Sequence, residues 1–386
     1  MEKGKPQAVL CGSTNWTATG LCAQSNNSII VESPELAADY FAYWKRLKKD
    51  TEDADGVATQ LQGKELRDAD KAENNLHELT DDAGNPSGDI QVWFSPNTAQ
   101  KSVPRSKKGG TPKAPPTPPD LARVFERIEN AKQGVLFLAF IPGNPSIISK
   151  LKETYNAKRK QKQLFYLRGA ATSPDPASLF RVDLYHRSGI SDATVRAVAN
   201  PPDTRGASAG VSSVAGFFAT FAQWEAEIYK IGHAVIHDKI LVIDPFTDDS
   251  VVVTGSHNLG FKASYTNDEN MVIIRKDRQV AAAYAAHVLD VYEHYRWRWK
   301  LQEPIRNAFQ KLKEANSKSK PADLWRQAME EVGPAVIKKA WQKLVPDDTW
   351  QDFYVNNRDF LAAEDNFWSS FGGVGISSGT PRDLVK

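Results

Sequence analysis

The sequence predicts a layered α/β protein built from two duplicated lobes. Apolar, strand-like runs alternate with amphipathic helical segments over much of the chain, and this alternation is typical of a sheet covered by helices. A short G-S-x-N turn also occurs twice in similar surroundings, which indicates an internal repeat. We therefore expect an αβα sandwich in which one lobe is incomplete, followed by a helical C-terminal extension.

The first part of the chain is expected to contain two strands and a helix. QAVLCGS is apolar up to a glycine, NNSIIVES is a second strand-like run, and PELAADYFAYWKRLKKD has helical periodicity after a proline start. The composition then becomes polar and charged, and DDAGNPSG is typical of a turn. We expect a polar linker over residues 51–87.

Residues 88–300 carry the main alternation of strands and helices. DIQVWFSPN opens this part as a strand, and a Pro- and Lys-rich surface loop follows at about 98–119. Apolar runs such as GVLFLAFIPG then alternate with helical segments up to a long helix that ends near residue 300. Residues 301–386 are rich in aromatic side chains, and we expect an aromatic-rich helical region there.

The G-S-x-N turn at Gly12 is repeated at Gly255. With the two glycines aligned, the strand-like runs SIIV and MVII also coincide. Three pairs of polar residues share this offset: Ser13 with Ser256, Asn15 with Asn258, and Asn26 with Glu269. Because one offset holds over a turn and the following strand, we interpret the two regions as copies of one unit.

A strand-like run upstream of the second turn, AVIHDKILVID, contains an unusual pair of side chains. Alternate residues of a strand share a face, so His237 and Lys239 should point to one side and Asp238 to the other. Both faces are otherwise mostly apolar, as expected for a central strand. Burying a histidine beside a lysine is costly without an anionic partner, which indicates that this strand serves a negatively charged ligand.

His237, Lys239 and Asp244 spell the pattern H-x-K-x4-D. Together with the following TGSHN and TNDENMVII, this pattern resembles the signature of the phospholipase D superfamily, the HKD-motif phosphodiesterases. The resemblance implies a phospholipase D-like αβα sandwich with a mixed sheet and lobes related by a pseudo-two-fold axis. It covers residues 1–50 as a remnant of the first lobe, with the G-S-x-N half-motif only, and residues 88–300 as the second lobe with the complete motif.

The resemblance also implies a metal-independent phosphoric diester hydrolase that needs no cofactor. In the superfamily, two histidines face each other; one forms a covalent phosphohistidine and the other protonates the leaving group. His237 belongs to the second copy and is therefore assigned acid–base chemistry.

The remaining motif residues have expected roles of their own. Lys239 supplies positive charge to the phosphate, and Glu269 is expected to brace the imidazole of His237. Asp244 belongs to the motif but is expected to be structural. Four residues of the two turns are expected to bind phosphate with Lys239: Ser13, Asn15, Ser256 and Asn258.

The first copy shows no counterpart of the His-x-Lys pair. His237 lies 18 residues before Gly255, and the same distance before Gly12 falls outside the sequence. Three explanations stay open: a truncated product or misassigned start of an active two-lobed enzyme, a homodimer in which a second copy completes the site, or a catalytically dead binding remnant. On the first explanation the chain alone should be weakly active.

Composition and residue spacing bear on the substrate class, the location and the metal binding expected for the chain. The formal net charge is +2 over 386 residues, which disfavours a dedicated nucleic-acid surface. Together with the two-lobed layout, this favours a phospholipid headgroup as substrate, with nucleic acid as the alternative. Two cysteines, no apolar leader and no apolar run of transmembrane length favour a cytoplasmic location without a transmembrane segment. His233 and His237 have a zinc-like spacing, but on a strand they lie too far apart, so no metal site is expected.

Overall fold

The computed structural model describes residues 5–22, 24–72, 75–81, 83–102, 115–173, 197–199, 235–316 and 318–340. The strands in these ranges are β1 (Val9–Gly12), β2 (Gln24–Ser25), β3 (Ser28–Val31), β4 (Leu76–Thr80), β5 (Pro86–Ser95), β6 (Gly134–Phe140), β7 (Tyr166–Ser173), β8 (Ala197–Ala199), β9 (Val235–Ile236), β10 (Ile240–Ile243), β11 (Val251–Gly255) and β12 (Glu269–Arg275). The α-helices are α1 (Ala18–Cys22), α2 (Pro34–Asp53), α3 (Lys64–Ala72), α4 (Pro119–Asn130), α5 (Ile147–Lys160), α6 (Phe261–Thr266), α7 (Arg278–Ala315) and α8 (Pro321–Ala340).

Eight strands form the main sheet, in the order β4-β5-β12-β11-β10-β6-β7-β8. Strands β6, β7 and β8 run parallel to one another, and the other neighbouring pairs are antiparallel. The mixed sheet predicted for this chain is therefore confirmed. The central strands are apolar on both faces, since every residue of β10 and β11 is buried.

Helices cover both faces of the sheet, which confirms the layered sandwich. On one face, α4 and α5 contribute Val124 and Leu151 to a core cluster that also contains Val253 of β11. On the other face, α7 contributes Tyr284 and Val288 to a second cluster that includes residues of α2, β1 and the sheet. The first-copy elements thus pack on the same side of the sheet as α7.

The repeat seen in the sequence is a repeat in three dimensions. Strands β1 and β3 pair antiparallel with Gly12 opposite Ser28, and β11 and β12 pair with Gly255 opposite Met271, so one offset of 243 residues relates both pairs. The backbone φ angle is +150° at Gly12 and +133° at Gly255, a region that favours glycine. Each turn also brings a backbone carbonyl oxygen against the glycine, where a side chain would not fit.

Two tyrosines connect the copies in a reciprocal way. Tyr40 of α2 donates its hydroxyl hydrogen to Asn270 Oδ1 in the second copy at 3.0 Å. In return, Asn27 Nδ2 of the first copy donates to the hydroxyl of Tyr284 in α7, also at 3.0 Å. Asn27 and Asn270 are equivalent under the repeat, so this exchange of contacts is the arrangement expected across a pseudo-two-fold axis.

The segment predicted as a polar linker, 51–87, is instead largely ordered. It contains α3 and β4, and β4 pairs with β5 at the edge of the main sheet. Residues of β4 alternate between exposed and half-buried, so its polar composition is that of an edge strand and not of a loop. Arg67 of α3 is buried and donates to the backbone oxygens of Thr98 and Tyr265, which fixes α3 against the sheet.

The predicted C-terminal region is helical over its described part. Helix α7 continues past residue 300 to Ala315, so the expected domain boundary falls inside a helix, and α8 follows it. Part of the Pro/Lys-rich loop (103–114), residues 174–196 and residues 341–386 lie outside the described residues. Within the described ranges, none of the helices is both long enough and apolar enough to traverse a bilayer.

The glycine turn can be tested by substitution. Gly255→Ala should lower the free energy of unfolding by roughly 3 kcal/mol, because a Cβ would meet both an unfavourable φ and the carbonyl oxygen of Asn270. Gly84 is the matched control, since its φ is also positive but no atom lies near its Cβ position. Gly84→Ala should cost only about 1 kcal/mol in urea unfolding; equal losses for the two variants would contradict the proposed close contact.

Candidate active site

The His-x-Lys segment lies at the junction of the two copies. It was predicted as part of one continuous strand, but it interrupts the strand between β9 and β10. Strand β9 pairs in parallel with β2 of the first copy, and His237 N donates to Ser25 O at 2.9 Å. Strand β10 then joins the main sheet between β6 and β11. The segment is interrupted because it changes partner from one copy to the other.

The ring of His237 is held by the half-motif of the first copy. Its Nδ1 atom lies 2.9 Å from both Ser13 O and Asn26 Oδ1. The amide of Asn26 is oriented by its Nδ2 atom, which donates to Gly20 O at 2.9 Å. Since the two nearest neighbours of Nδ1 are acceptors, Nδ1 carries the proton and Nε2 keeps its lone pair. Nε2 faces the exposed Asn15, whose Nδ2 atom is 3.4 Å away.

Lys239 lies beside His237 on the same face, as the strand alternation predicts. Its Nζ atom donates to His237 O at 2.7 Å and lies 3.3 Å from each ring nitrogen. Nζ also lies 4.7 Å from the centre of the Phe140 ring, a cation–π contact. Asp238 points to the opposite side, where its Oδ1 atom is 3.4 Å from His287 Nε2 on α7.

Burial controls the charge of this pair. His237 and Lys239 are only 7% and 3% exposed. Burial, with the nearby positive charge of Lys239, lowers the pKa of His237 to about 4. Burial also lowers the pKa of Lys239 to about 7, although Glu269 and Asp238 oppose this shift. A bound anion would favour the protonated form of both groups, so the centre is suited to a phosphate.

The predicted brace, Glu269, does not contact the ring of His237. Asn26, its counterpart in the first copy, occupies that position instead. The carboxylate of Glu269 accepts a hydrogen bond from Asn267 Nδ2 at 3.0 Å. The reason is the pseudo-two-fold relation: the strand after each G-S-x-N turn faces the histidine position of the other copy. The sequence showed that Asn26 and Glu269 are equivalent in the repeat. It did not show that each of them faces the histidine position of the other copy.

Ser256 and Asn258 also belong to the opposite half of the site. Ser256 Oγ accepts from Asn270 N at 2.9 Å, just as Ser13 Oγ accepts from Asn27 N at 3.0 Å. Neither Ser256 nor Asn258 hydrogen-bonds His237 or Lys239 within the described part of the chain. The structure therefore gathers one half-site, which consists of His237, Lys239, Ser13, Asn15 and Asn26. The counterpart half consists of Ser256, Asn258 and Glu269.

Asp244 occupies the structural position expected for it. Its carboxylate accepts hydrogen bonds from the backbone N–H groups of Lys132, Gln133 and Gly134, at 2.7, 2.7 and 2.9 Å. These contacts fix the start of β6 against the end of β10. The carboxylate has no contact with His237 or Lys239 in the described ranges, so its role in the motif is to position the strand.

A buried network that the sequence did not reveal supports the second turn. His257 lies inside the turn and contacts Ser264 Oγ of α6 at 3.0 Å through Nε2, while its Nδ1 accepts from Leu259 N. Ser264 Oγ donates to the carboxylate of Asp120 in α4 at 3.0 Å. Asp120 is distant in sequence from the other two residues and the three share no motif, so only the fold brings them together.

Part of the chain matches a known protein family. Residues 191–291, which include the complete His-x-Lys motif, match the family model "Cardiolipin synthase, PLD-like domain". One matching solved structure is the phospholipase D family member Nuc from Salmonella typhimurium, with 16% identity, coverage of 55% of this chain and 93% of that chain, and a TM-score of 0.24. Another is the phosphatidylserine synthase of Haemophilus influenzae Rd KW20, with 10% identity, coverage of 88% and 69%, and a TM-score of 0.41. No curated protein matches the chain.

The neutral brace of His237 can be tested by adding charge. Asn26→Asp should raise the pKa of His237 from about 4 toward the ordinary histidine range, because a carboxylate stabilises the imidazolium that an amide does not. NMR titration of the ring protons measures this shift. Asn85→Asp, in an exposed turn, is the control and should leave the ring titration unchanged. An unmoved titration in the Asn26→Asp protein would show that Asn26 does not contact the ring.

Proposed function

We propose that this chain, a member of the phospholipase D superfamily, cleaves phosphodiesters at the half-site that contains His237 and Lys239. The observation that carries the proposal is the convergence of the half-motif and the His-x-Lys pair, from distant parts of the sequence, on one buried basic centre. A phosphodiester resists attack because its oxygens are negatively charged, and this centre offers the groups that overcome that resistance.

Each group in the half-site has a chemical use. Lys239 neutralises a non-bridging phosphate oxygen with its ammonium group, and the exposed amide of Asn15 offers N–H donors next to His237 Nε2. The Nε2 atom is the position for proton exchange, because Nδ1 is held by Ser13 O and Asn26 Oδ1. The half-site therefore combines charge neutralisation with an acid–base group in one place.

A single imidazole does not complete the reaction scheme that the superfamily uses. In that scheme one histidine attacks phosphorus and forms a phosphohistidine, while the other donates a proton to the leaving alkoxide and later removes one from the attacking water or alcohol. We assign the proton exchange to His237. The nucleophilic imidazole belongs at the counterpart half-site, beside Glu269. The chain alone is expected to be weakly active because His-x-Lys occurs only once in its sequence.

A phospholipid is the proposed substrate. The matching family model is named for cardiolipin synthase, which favours a lipid phosphodiester. The net charge of +2 supplies no broad basic surface of the kind that binds a nucleic-acid backbone. Hydrolysis, or transfer of the phosphatidyl group to an alcohol, would use the same half-site.

Substrate class and site are tested in one panel. The purified chain is offered phosphatidylglycerol vesicles, a single-stranded DNA oligonucleotide and bis-(p-nitrophenyl) phosphate, with phosphate-ester products measured by mass spectrometry. We expect slow turnover of the lipid, and His237→Ala should reduce it by about 10²–10⁴-fold, the usual contribution of an acid–base group.

His77→Asn is the matched control for that panel. His77 lies on β4 at the far edge of the sheet and pairs with Asp39, so its replacement should leave turnover unchanged. Turnover of DNA in preference to lipid would establish the nuclease alternative. Turnover that survives His237→Ala would overturn the assigned site. Binding of the vesicles or the oligonucleotide to the chain without turnover of any of the three substrates would support a catalytically dead binding remnant.

The pH dependence of turnover follows from the two shifted groups. The first chemical step needs Lys239 protonated to neutralise the phosphate and His237 protonated at Nε2 to donate to the leaving oxygen. Because the pKa of His237 is about 4 and that of Lys239 about 7, kcat/KM should fall as the pH rises through about 4 and fall again through about pH 7. Lys239→Arg should abolish the upper limb, since arginine stays protonated. An unchanged upper limb in Lys239→Arg would show that another group titrates there.

A further inference from the structure

The ammonium group of Lys239 is buried without a carboxylate directly beside it. Its Nζ atom contacts His237 O at 2.7 Å and the two ring nitrogens of His237 at 3.3 Å. Among the described residues, no carboxylate oxygen lies within ion-pair distance of this atom. A buried ammonium is costly unless another group compensates its charge. The compensation for Lys239 must therefore come from a contact other than a salt bridge.

The ring of Phe140 contacts both members of the His-x-Lys pair. Phe140 is the half-buried last residue of β6. The register that places Leu138 opposite Ile240 brings this end of β6 to the His-x-Lys segment. Nζ of Lys239 lies 4.7 Å from the centre of the ring, well within the range of cation–π attraction. The ring centre also lies 4.4 Å from that of His237, with the two planes inclined at 51°.

An aromatic face suits a phosphate-binding lysine better than a carboxylate would. A carboxylate against Lys239 would neutralise its charge and compete with an incoming phosphate for its N–H donors. The face of a phenyl ring attracts a cation through its quadrupole but accepts no strong hydrogen bond. It therefore stabilises the ammonium and leaves it able to bind an anion.

We propose that Phe140 is a positioning residue for Lys239, whose ring face takes the place of a counterion. The ring keeps the ammonium charged inside the protein and leaves it available to an anionic ligand. Because the same ring packs against the imidazole of His237, it also holds the two groups next to each other. This role rests on the proposed function, in which the ligand is a phosphodiester.

The charged groups around Lys239 make the contribution of the ring measurable near neutral pH. Burial lowers the pKa of Lys239 to about 7, and Glu269 of β12 and Asp238 oppose this shift. His237 has a pKa of about 4 and is neutral in this range. His287 of α7 faces Asp238, and this contact raises the pKa of His287. All these groups stay in place when only Phe140 is changed.

Phe140→Leu tests the role because it keeps an apolar side chain and removes the aromatic face. The pKa of Lys239 should fall from about 7 to about 6, since burial then acts without the cation–π contact. NMR titration of the chain with ¹³Cε-labelled lysine measures this value, and the loss of one resonance in Lys239→Arg assigns it. Phe140→Tyr keeps the aromatic face and should retain the parent value.

Phe125→Leu is the matched control for the titration. Phe125 of α4 is also half-buried, and its ring centre lies 5.9 Å from Nζ of another lysine, Lys150. It has no contact with the His-x-Lys pair in the described part of the chain, so the pKa of Lys239 should not change. Phe140→Met replaces Phe140→Leu if circular dichroism shows that the latter is unfolded.

Binding of dimethyl phosphate links the ring to the anion. This phosphodiester keeps one negative charge between pH 5 and pH 8, and the shifts of the His237 ring protons report its binding. At pH 7, Phe140→Leu should weaken binding about fivefold, because roughly a tenth of Lys239 stays protonated instead of about half. At pH 5, Lys239 is protonated in both proteins, and their affinities should be equal.

Three results would overturn the proposal. A higher pKa of Lys239 in Phe140→Leu would show that the ring acts only by excluding water, and an unchanged pKa would show that it gives the ammonium no support. An equal loss of dimethyl phosphate binding at pH 5 and pH 7 would show that the ring does not act through the charge of Lys239. If the parent chain binds no dimethyl phosphate, the proposed function fails, whereas the lysine titration still decides the role of Phe140.

Discussion

The hydrogen bonds that the ring of His237 donates to the first copy are the constraint on which the site depends. They lie between residues more than 200 positions apart, and they form only when β2 pairs with β9 across the junction of the copies. The first copy is held beside α7 by the hydrogen bond from Asn27 to Tyr284, and its helix α2 contacts β12 through Tyr40 and Asn270. A small hairpin thereby determines the tautomer and the exposure of the His237 imidazole.

The sequence predicted the parts of this arrangement that depend on local pattern. Strand alternation placed His237 and Lys239 on one face with Asp238 opposite, and the repeat predicted two equivalent turns. Both features follow from spacing along one strand or from one constant offset, so they need no knowledge of the fold. The layered sandwich followed in the same way, from alternating apolar strands and amphipathic helices.

Other features depend on contacts that spacing does not encode. The resemblance assigned the brace of His237 to Glu269, whereas a two-fold relation exchanges such contacts between the copies and places Asn26 beside the ring. Strand β4 was missed because an edge strand with one solvated face has the composition of a linker. The Asp120–Ser264–His257 network was missed because its members come from three separate elements.

The exchange of contacts also makes the two half-sites chemically unequal. Burial and the nearby ammonium of Lys239 lower the pKa of His237, and the neutral amide of Asn26 beside Nδ1 adds no negative charge to oppose them. A carboxylate in the equivalent position, Glu269, would raise the pKa of an imidazole there and make its free nitrogen a better nucleophile. Reactions through a covalent intermediate need this difference, because one imidazole must attack phosphorus while the other supplies a proton to the leaving oxygen. The difference between Asn26 and Glu269, which are equivalent positions of the repeat, therefore gives a physical reason to assign proton exchange to His237.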